Sequence, residues 1–364
     1  MATKNKPRFL DYRRDPLPLD IALSFSLVVS SPRELVLSGR VRVNGIVETS
    51  SNRLVSRMDD YIEVAIDDDN KASWIDVVVP MPRYYSCYKP RGVVCSSSRN
   101  VTDNLDSILI SEWLENIVAL KSSRGLKTVG RLDEDSEGLL LLTDDGSFSR
   151  VLCDPESGFE KTYRVLVRGS HYHEMMTRIQ QQQQQHDKLG VTTKDALSKQ
   201  VSAMIQRGTL TPPYFTYKSC RVHEVGRLDT QHSSDDSYYA LVDLVLQEGK
   251  RHAVRRIIKN ASTSTTTAGR CGGGALRVCY LSRIAIEKLA GVICVIMPNT
   301  LLDAQTMGFL PRIDCTKQRR MVPAGKLVFR RNNDDPYILH SGQITELSER
   351  DVDQIFSFHK EGFR

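Results

Sequence analysis

The chain has no apolar run approaching the roughly 20 residues that a membrane-spanning helix needs, so nothing in it reads as a membrane partner or anchor. Its eight cysteines fall at 87, 95, 153, 220, 271, 279, 294 and 315, with no C-x-x-C pair and no histidine at ligand spacing. That argues against a structural zinc site and for reduced, intracellular thiols. Neither a phosphate-binding G-x-x-x-x-G-K-[ST] loop nor a G-x-G-x-x-G fingerprint occurs, which removes the commonest nucleotide and dinucleotide sites. The opening MATKNKPRFLDYRRDPLPLD is basic but has no apolar core segment, so a secretory leader is not expected. A mitochondrial or plastid address stays open beside a cytoplasmic one, although Asp11, Asp15 and Asp20 come early and organised sequence starts near residue 18.

What is present is a soluble, globular composition, 40% hydrophobic and 26% charged, on a chain whose 364 residues exceed one ordinary core and so imply two domains. The 50 Lys and Arg against 44 Asp and Glu give a net +6, an excess that permits a polyanionic partner without requiring one. Residues 18–66 read as a small unit: helical spacing broken at Pro32, then short alternating strands around turns at Asn44-Gly45 and Asp59-Asp60. An acidic stretch with Pro80 and Pro82 makes 67–83 a linker. From Tyr84 to about residue 360, strand-like segments (YYSCYKP, GLLLLTDDG, KTYRVLVRG, YYALVDLVLQEG, GVICVIMP) mix with helical ones (DSILISEWLENIVALKS, FSRVLCDP, KRHAVRRIIKNA), which favours an α+β domain with a mostly antiparallel sheet. Gln180 to Gln185 and the Ser/Thr/Gly tract at 261–275 cannot bury apolar surface and read as loop insertions, so insertions are placed near 178–200, 259–276 and 287–338.

The segment GRLDEDSEGLLLLTDDG at 130–146 sets six carboxylates around four leucines. The local pattern is a strand, a polar connection from Arg131 to Glu137, a buried strand opening at Gly138, and a turn at Gly146 leading to a helix capped by Ser147. Taken alone, the carboxylates are a solvated acidic loop at a strand end.

In its company the segment resembles the catalytic motif of the RsuA-type (RsuA/RluB-like) ribosomal RNA pseudouridine synthases, G-R-L-D followed by a Leu-rich strand and D-G, with Asp133 on the family's nucleophile. YYSCYKPRGVV at 84–94 is similar to the family's first motif, in which Lys89, Pro90 and Gly92 belong to a turn that supports the catalytic loop. KTYRVLV at 161 resembles the strand carrying the active-site tyrosine, here Tyr163, and EGKRHAVRRI at 248 resembles the third motif, with Arg255 on the arginine that pairs with the aspartate. That motif departs from the usual pattern: Arg251-His252-Ala253 stands where Asn-Arg-Gln is common, with loss of an amide side chain. PRELVLSGRVRVNGIVE and DDYIEV resemble a small RNA-binding domain named after a ribosomal small-subunit protein, with Arg33, Arg40 and Arg42 on its phosphate-facing edge.

The resemblance implies a pseudouridine synthase fold, α+β with a mostly antiparallel mixed sheet behind the small RNA-binding domain, and a monomer that isomerises uridine in ribosomal RNA without cofactor or metal. Asp133 would attack or stabilise the anomeric carbon, Arg255 would keep it ionised, and Tyr163 would stack on the base or move a proton. Arg131, Lys161 and Arg256 are expected to contact RNA, as is KQRR at 317–320. Two alternatives stand beside this reading: a catalytically impaired RNA-binding or ribosome-assembly factor on the same fold, and glycoside hydrolysis by Asp133 paired with Glu137.

Overall fold

A computed structural model describes residues 11–13, 16–26, 29–68, 71–96, 108–117, 125–185, 192–210, 212, 214–227, 236–247, 249–263, 276–286, 294–296, 301, 326–330, 336–339, 344–347 and 349–361. The basic KQRR stretch and most of the 259–276 and 287–338 insertions lie outside the described residues.

The small unit packs two short helices, α1 (Leu19–Ser24) and α2 (Pro32–Leu37), on a sheet of β1 (Val41–Val43), β2 (Ile46–Val47), β3 (Ile62–Asp68) and β4 (Lys71–Asp76) in the order β2-β1-β3-β4. The β1-β2 hairpin turns on Asn44 (φ 54°) and Gly45 (φ 78°), the paired left-handed residues that a two-residue turn requires. The Asn44 side chain then accepts from the Tyr61 N–H and donates to Asp60, tying both predicted turns together. Alternation along β1 buries Val41 and Val43 against Leu19, Leu23 and Val36. The unit runs further than the sequence suggests. Residues 71–76, expected in a linker, form a strand paired to β3, and Val77 is buried in the same core, because WIDVV continues the apolar alternation past the acidic turn.

The large unit is built on an eight-stranded sheet. In chain order its strands are β5 (Tyr84–Lys89), β6 (Lys127–Val129), β7 (Glu137–Thr143), β8 (Lys161–Ser170), β9 (Tyr217–Gly226), β10 (Ser237–Leu246), β11 (Arg277–Ile286) and β12 (Ile344–Glu346). They lie side by side as β9-β10-β8-β11-β7-β5-β12, with β6 paired to β7. Within this sheet every pairing is antiparallel except β7 with β11, so the domain is α+β with a mostly antiparallel mixed sheet.

The four leucines are explained by β7's place in the middle. Leu140 and Leu142 join Tyr163, Val165 and Val167 beneath α6 (Thr193–Thr209) and α7 (Ala253–Thr263), while Leu139 and Leu141 pack on the other face against Phe148 of α4 (Gly146–Cys153) and Ile355 of α8 (Glu349–Glu361). A strand covered on both faces reads as a continuous apolar run, and each buried leucine contributes about 1.5–3 kcal/mol. Gly138, at φ 107°, is required where β7 meets β11: a Cβ there would lie 2.4 Å from the Arg283 carbonyl oxygen.

Three local expectations change. Of the helical candidate at 106–122, the helix described is α3 (Ile110–Glu115). The glutamine tract is helical, not a loop: α5 (Tyr172–Gln185) runs through it, started by Met175 and Ile179, which bury one turn apart, and continued by a residue of good helix propensity. Helix α4 is capped by Asp145, whose Oδ1 accepts from the Ser147 and Phe148 N–H groups at 2.8 and 3.0 Å, while Ser147 lies inside the helix.

Candidate active site

The six carboxylates of 130–146 do not share one exposed loop. Asp144 binds the Arg83 backbone and guanidinium, both at 2.7 Å. Asp145 is fully buried, caps α4 and accepts from the Tyr84 hydroxyl at 2.6 Å; burial raises its pKa against the lowering effect of these bonds. Glu137 is 2% exposed and accepts from the hydroxyls of Tyr88 and Tyr280, with Arg91 Nε at 3.7 Å from its other oxygen; burial again raises its pKa. A carboxylate committed to two buried tyrosines cannot share a sugar with Asp133, which removes the glycosidase pairing. Asp133, Glu134 and Asp135 remain in the connecting turn, closed by the Ser136 N–H donating to the Asp133 carbonyl at 3.0 Å.

The turn of the first motif clasps this loop from behind: the Gly92 N–H donates to the Glu134 carbonyl at 2.8 Å. Lys89 is wholly buried, and its ammonium donates to the Pro90 and Val93 carbonyls at 2.9 and 2.7 Å, stitching the turn closed. Desolvation pushes its pKa down to about 8.

Asp133 and Tyr163 line one cleft of about 200 Å³. A register shift between β8 and β11 falls between Thr162 and Tyr163, the kind of irregularity that re-aims a side chain at a sheet's working end. Arg131 also lines it, as does Gly249 to Val254, the segment leading into and opening α7. Within that segment His252 is left-handed (φ 57°), and its Nε2 lies 3.4 Å from Asp133 Oδ1.

Arg255 is placed otherwise than the resemblance implied. Its Nη2 lies 2.8 Å from Asp135 Oδ1 and also donates to the Asp135 carbonyl at 3.3 Å and the Ser136 hydroxyl at 3.5 Å. It therefore grips the far side of the loop, and the contact on Asp133 comes from His252. In the sequence, 251–253 stand out as the loss of an amide, and the histidine directly before α7 is the available signal for this contact.

The six residues expected on RNA divide. Arg33, Arg131 and Arg256 are exposed. Arg42 lies flat on the Trp74 ring at 3.8 Å, and Arg40 donates to the Ala65 carbonyl at 2.9 Å, so both brace β1 against its neighbours. Lys161 is a correction: it is 6% exposed, donates to the Leu152 carbonyl at 3.3 Å, and has its pKa pushed down to about 8, first by burial and then by Arg283. The first residue of a strand seemed accessible, but α4 folds back over it.

Residues 83–260 match the family model described as RNA pseudouridylate synthase. A candidate chloroplastic ribosomal large subunit pseudouridine synthase of Arabidopsis thaliana is 27% identical over 273 residues, 74% of this chain and 57% of that one. Ribosomal large subunit pseudouridine synthase B of Bacillus subtilis is 31% identical over 147 residues, 40% of this chain and 53% of that one. Ribosomal small subunit pseudouridine synthase A of Haemophilus influenzae is 33% identical over 148 residues, 40% and 56% respectively. Over residues 83–260 the chain is similar to RNA pseudouridylate synthases. It spans a little over half the length of these relatives.

Proposed function

We propose that the chain is an RNA pseudouridine synthase that isomerises particular uridines in ribosomal RNA, with Asp133 as the nucleophile. The observation that carries this reading is the meeting of Asp133 and Tyr163 in one cleft rimmed by Arg131, Lys250 and Arg251. The relatives' names supply the substrate class, and they divide between large and small ribosomal subunits.

The residues present suit the reaction. The Asp133 carboxylate attacks the anomeric carbon as the bond to uracil N1 breaks, and the pair of electrons leaves with the base. The freed base turns, and its C5 attacks the same carbon and expels the carboxylate. N1 takes up a proton and C5 loses one, so the product is an isomer with no net oxidation or hydrolysis. Tyr163, which lines the cleft, is suited to stack on a flipped base, an interaction of roughly 1–3 kcal/mol, and carries a hydroxyl for the proton shift.

The test is incubation of the purified protein with ribosomal RNA fragments of both subunits, plastid RNA included since one relative's name is chloroplastic. Site-specific pseudouridine supports the reading. Binding without any pseudouridine replaces it with the RNA-binding assembly factor.

A further inference from the structure

We infer that His252 is the residue that positions Asp133 in this chain, in place of Arg255; this rests on the reading of Asp133 as the nucleophile. The two side chains have divided their work. Arg255 is held at 2.8 Å by the carboxylate of Asp135, while the His252 ring sits at 3.4 Å from Asp133. His252 takes that position with a left-handed backbone, a conformation costing about 1 kcal/mol or more in a residue with a Cβ. Hydrogen bonds on both sides hold it there: the Ala253 N–H donates to the Lys250 carbonyl at 3.1 Å and the Arg256 N–H to the His252 carbonyl at 2.9 Å.

The other charged or titratable groups around the cleft are Arg131 beside Asp133 in the loop, Tyr163 from β8, and Lys250 and Arg251 from the segment itself. Lys250 donates to the Tyr214 carbonyl at 2.9 Å. Among the described residues, His252 makes the close side-chain contact on Asp133 that the geometry shows.

The experiment assays the natural chain, His252→Asn and His252→Arg at saturating RNA. His252→Asn tolerates the left-handed backbone and takes the ring away from Asp133; kcat falls about 10-fold, inside the roughly 100-fold that misplacing a reacting group can cost, with KM within about twofold. His252→Arg keeps a donor for the carboxylate and restores most of kcat. If His252→Asn keeps the natural kcat, the inference is overturned while Asp133 keeps its role. An Asp133→Asn, His252→Asn double-mutant cycle read by thermal unfolding needs no activity at all. A coupling of about 1–2 °C supports the pair even if no pseudouridine forms on any RNA, and additivity overturns it.

Discussion

Arg255 is bound to Asp135, two residues past the aspartate on which the family's chemistry centres, and its Nη2 also reaches the Asp135 carbonyl and the Ser136 hydroxyl. The guanidinium therefore closes the 133–136 turn instead of facing Asp133. Arg255→Met and Asp135→Asn are expected to lower kcat/KM by comparable factors, about 5–30-fold. The double variant should be no worse than the more damaging single change, since each breaks the same contact. Independent, multiplying losses in steady-state kinetics would place Arg255 on some other group.

Glu137 is a structural carboxylate. Glu137→Gln keeps an oxygen for the Tyr88 and Tyr280 hydroxyls, so most activity and stability should survive. Glu137→Leu removes the acceptor that both hydroxyls share, at about 1–3 kcal/mol, and should lower the unfolding midpoint by several degrees. Loss of all activity in a well-folded Glu137→Gln protein would return Glu137 to the chemistry.

Much of this was legible in the chain. The leucine run announced a buried strand because a strand covered on both faces has no polar side to show, and Asn44-Gly45 announced its hairpin because few other pairs accept that backbone. The fate of the acidic residues was not legible. Glu137 and Asp145 are decided by Tyr280, Tyr88 and Tyr84, which the sheet brings in from distant segments, whereas local sequence shows only charge and calls it surface. Lys161 failed for the same reason. The glutamine tract failed differently: composition argued for a loop, but the apolar start of α5 supplied the anchor its polar end lacks. The meeting of Asp133 and Tyr163 was reached through the resemblance, and the exchange of partners between His252 and Arg255 only through the coordinates.

Lys161 lends itself to a pH test. Its folded pKa of about 8 lies below the roughly 10.5 of an unfolded lysine, so between those values the unfolded chain binds more protons and stability rises with pH. The cost of the buried charge is therefore largest below pH 8. The unfolding midpoint of Lys161→Met minus that of the natural protein should be most positive near pH 7 and shrink toward pH 10; Lys89 titrates in both proteins and cancels. RNA affinity should be unchanged. A weaker, less salt-dependent RNA complex in the variant would put Lys161 back on the surface.

The small unit should add electrostatic affinity through Arg33, which is exposed, more than through Arg42, which is stacked on Trp74. Arg33→Gln is expected to reduce the salt slope of binding by about 0.7 on single-stranded RNA without moving the unfolding midpoint. Arg42→Ala should lower that midpoint first, through the roughly 0.5–2 kcal/mol of its ring contact. Equal salt slopes for the natural protein and Arg33→Gln, measured by filter binding from 50 to 200 mM salt, would remove that helix from the RNA interface.

The most direct test is position-resolved pseudouridine detection on ribosomal RNA fragments treated with the natural protein, Asp133→Asn, or Asp135→Asn. Asp133→Asn changes one oxygen for nitrogen in the lining of the cleft and is expected to leave the fold intact. The account predicts pseudouridine at defined sites with the natural protein, none with Asp133→Asn, and a reduced but measurable yield at the same sites with Asp135→Asn. Undiminished pseudouridine from Asp133→Asn would contradict it.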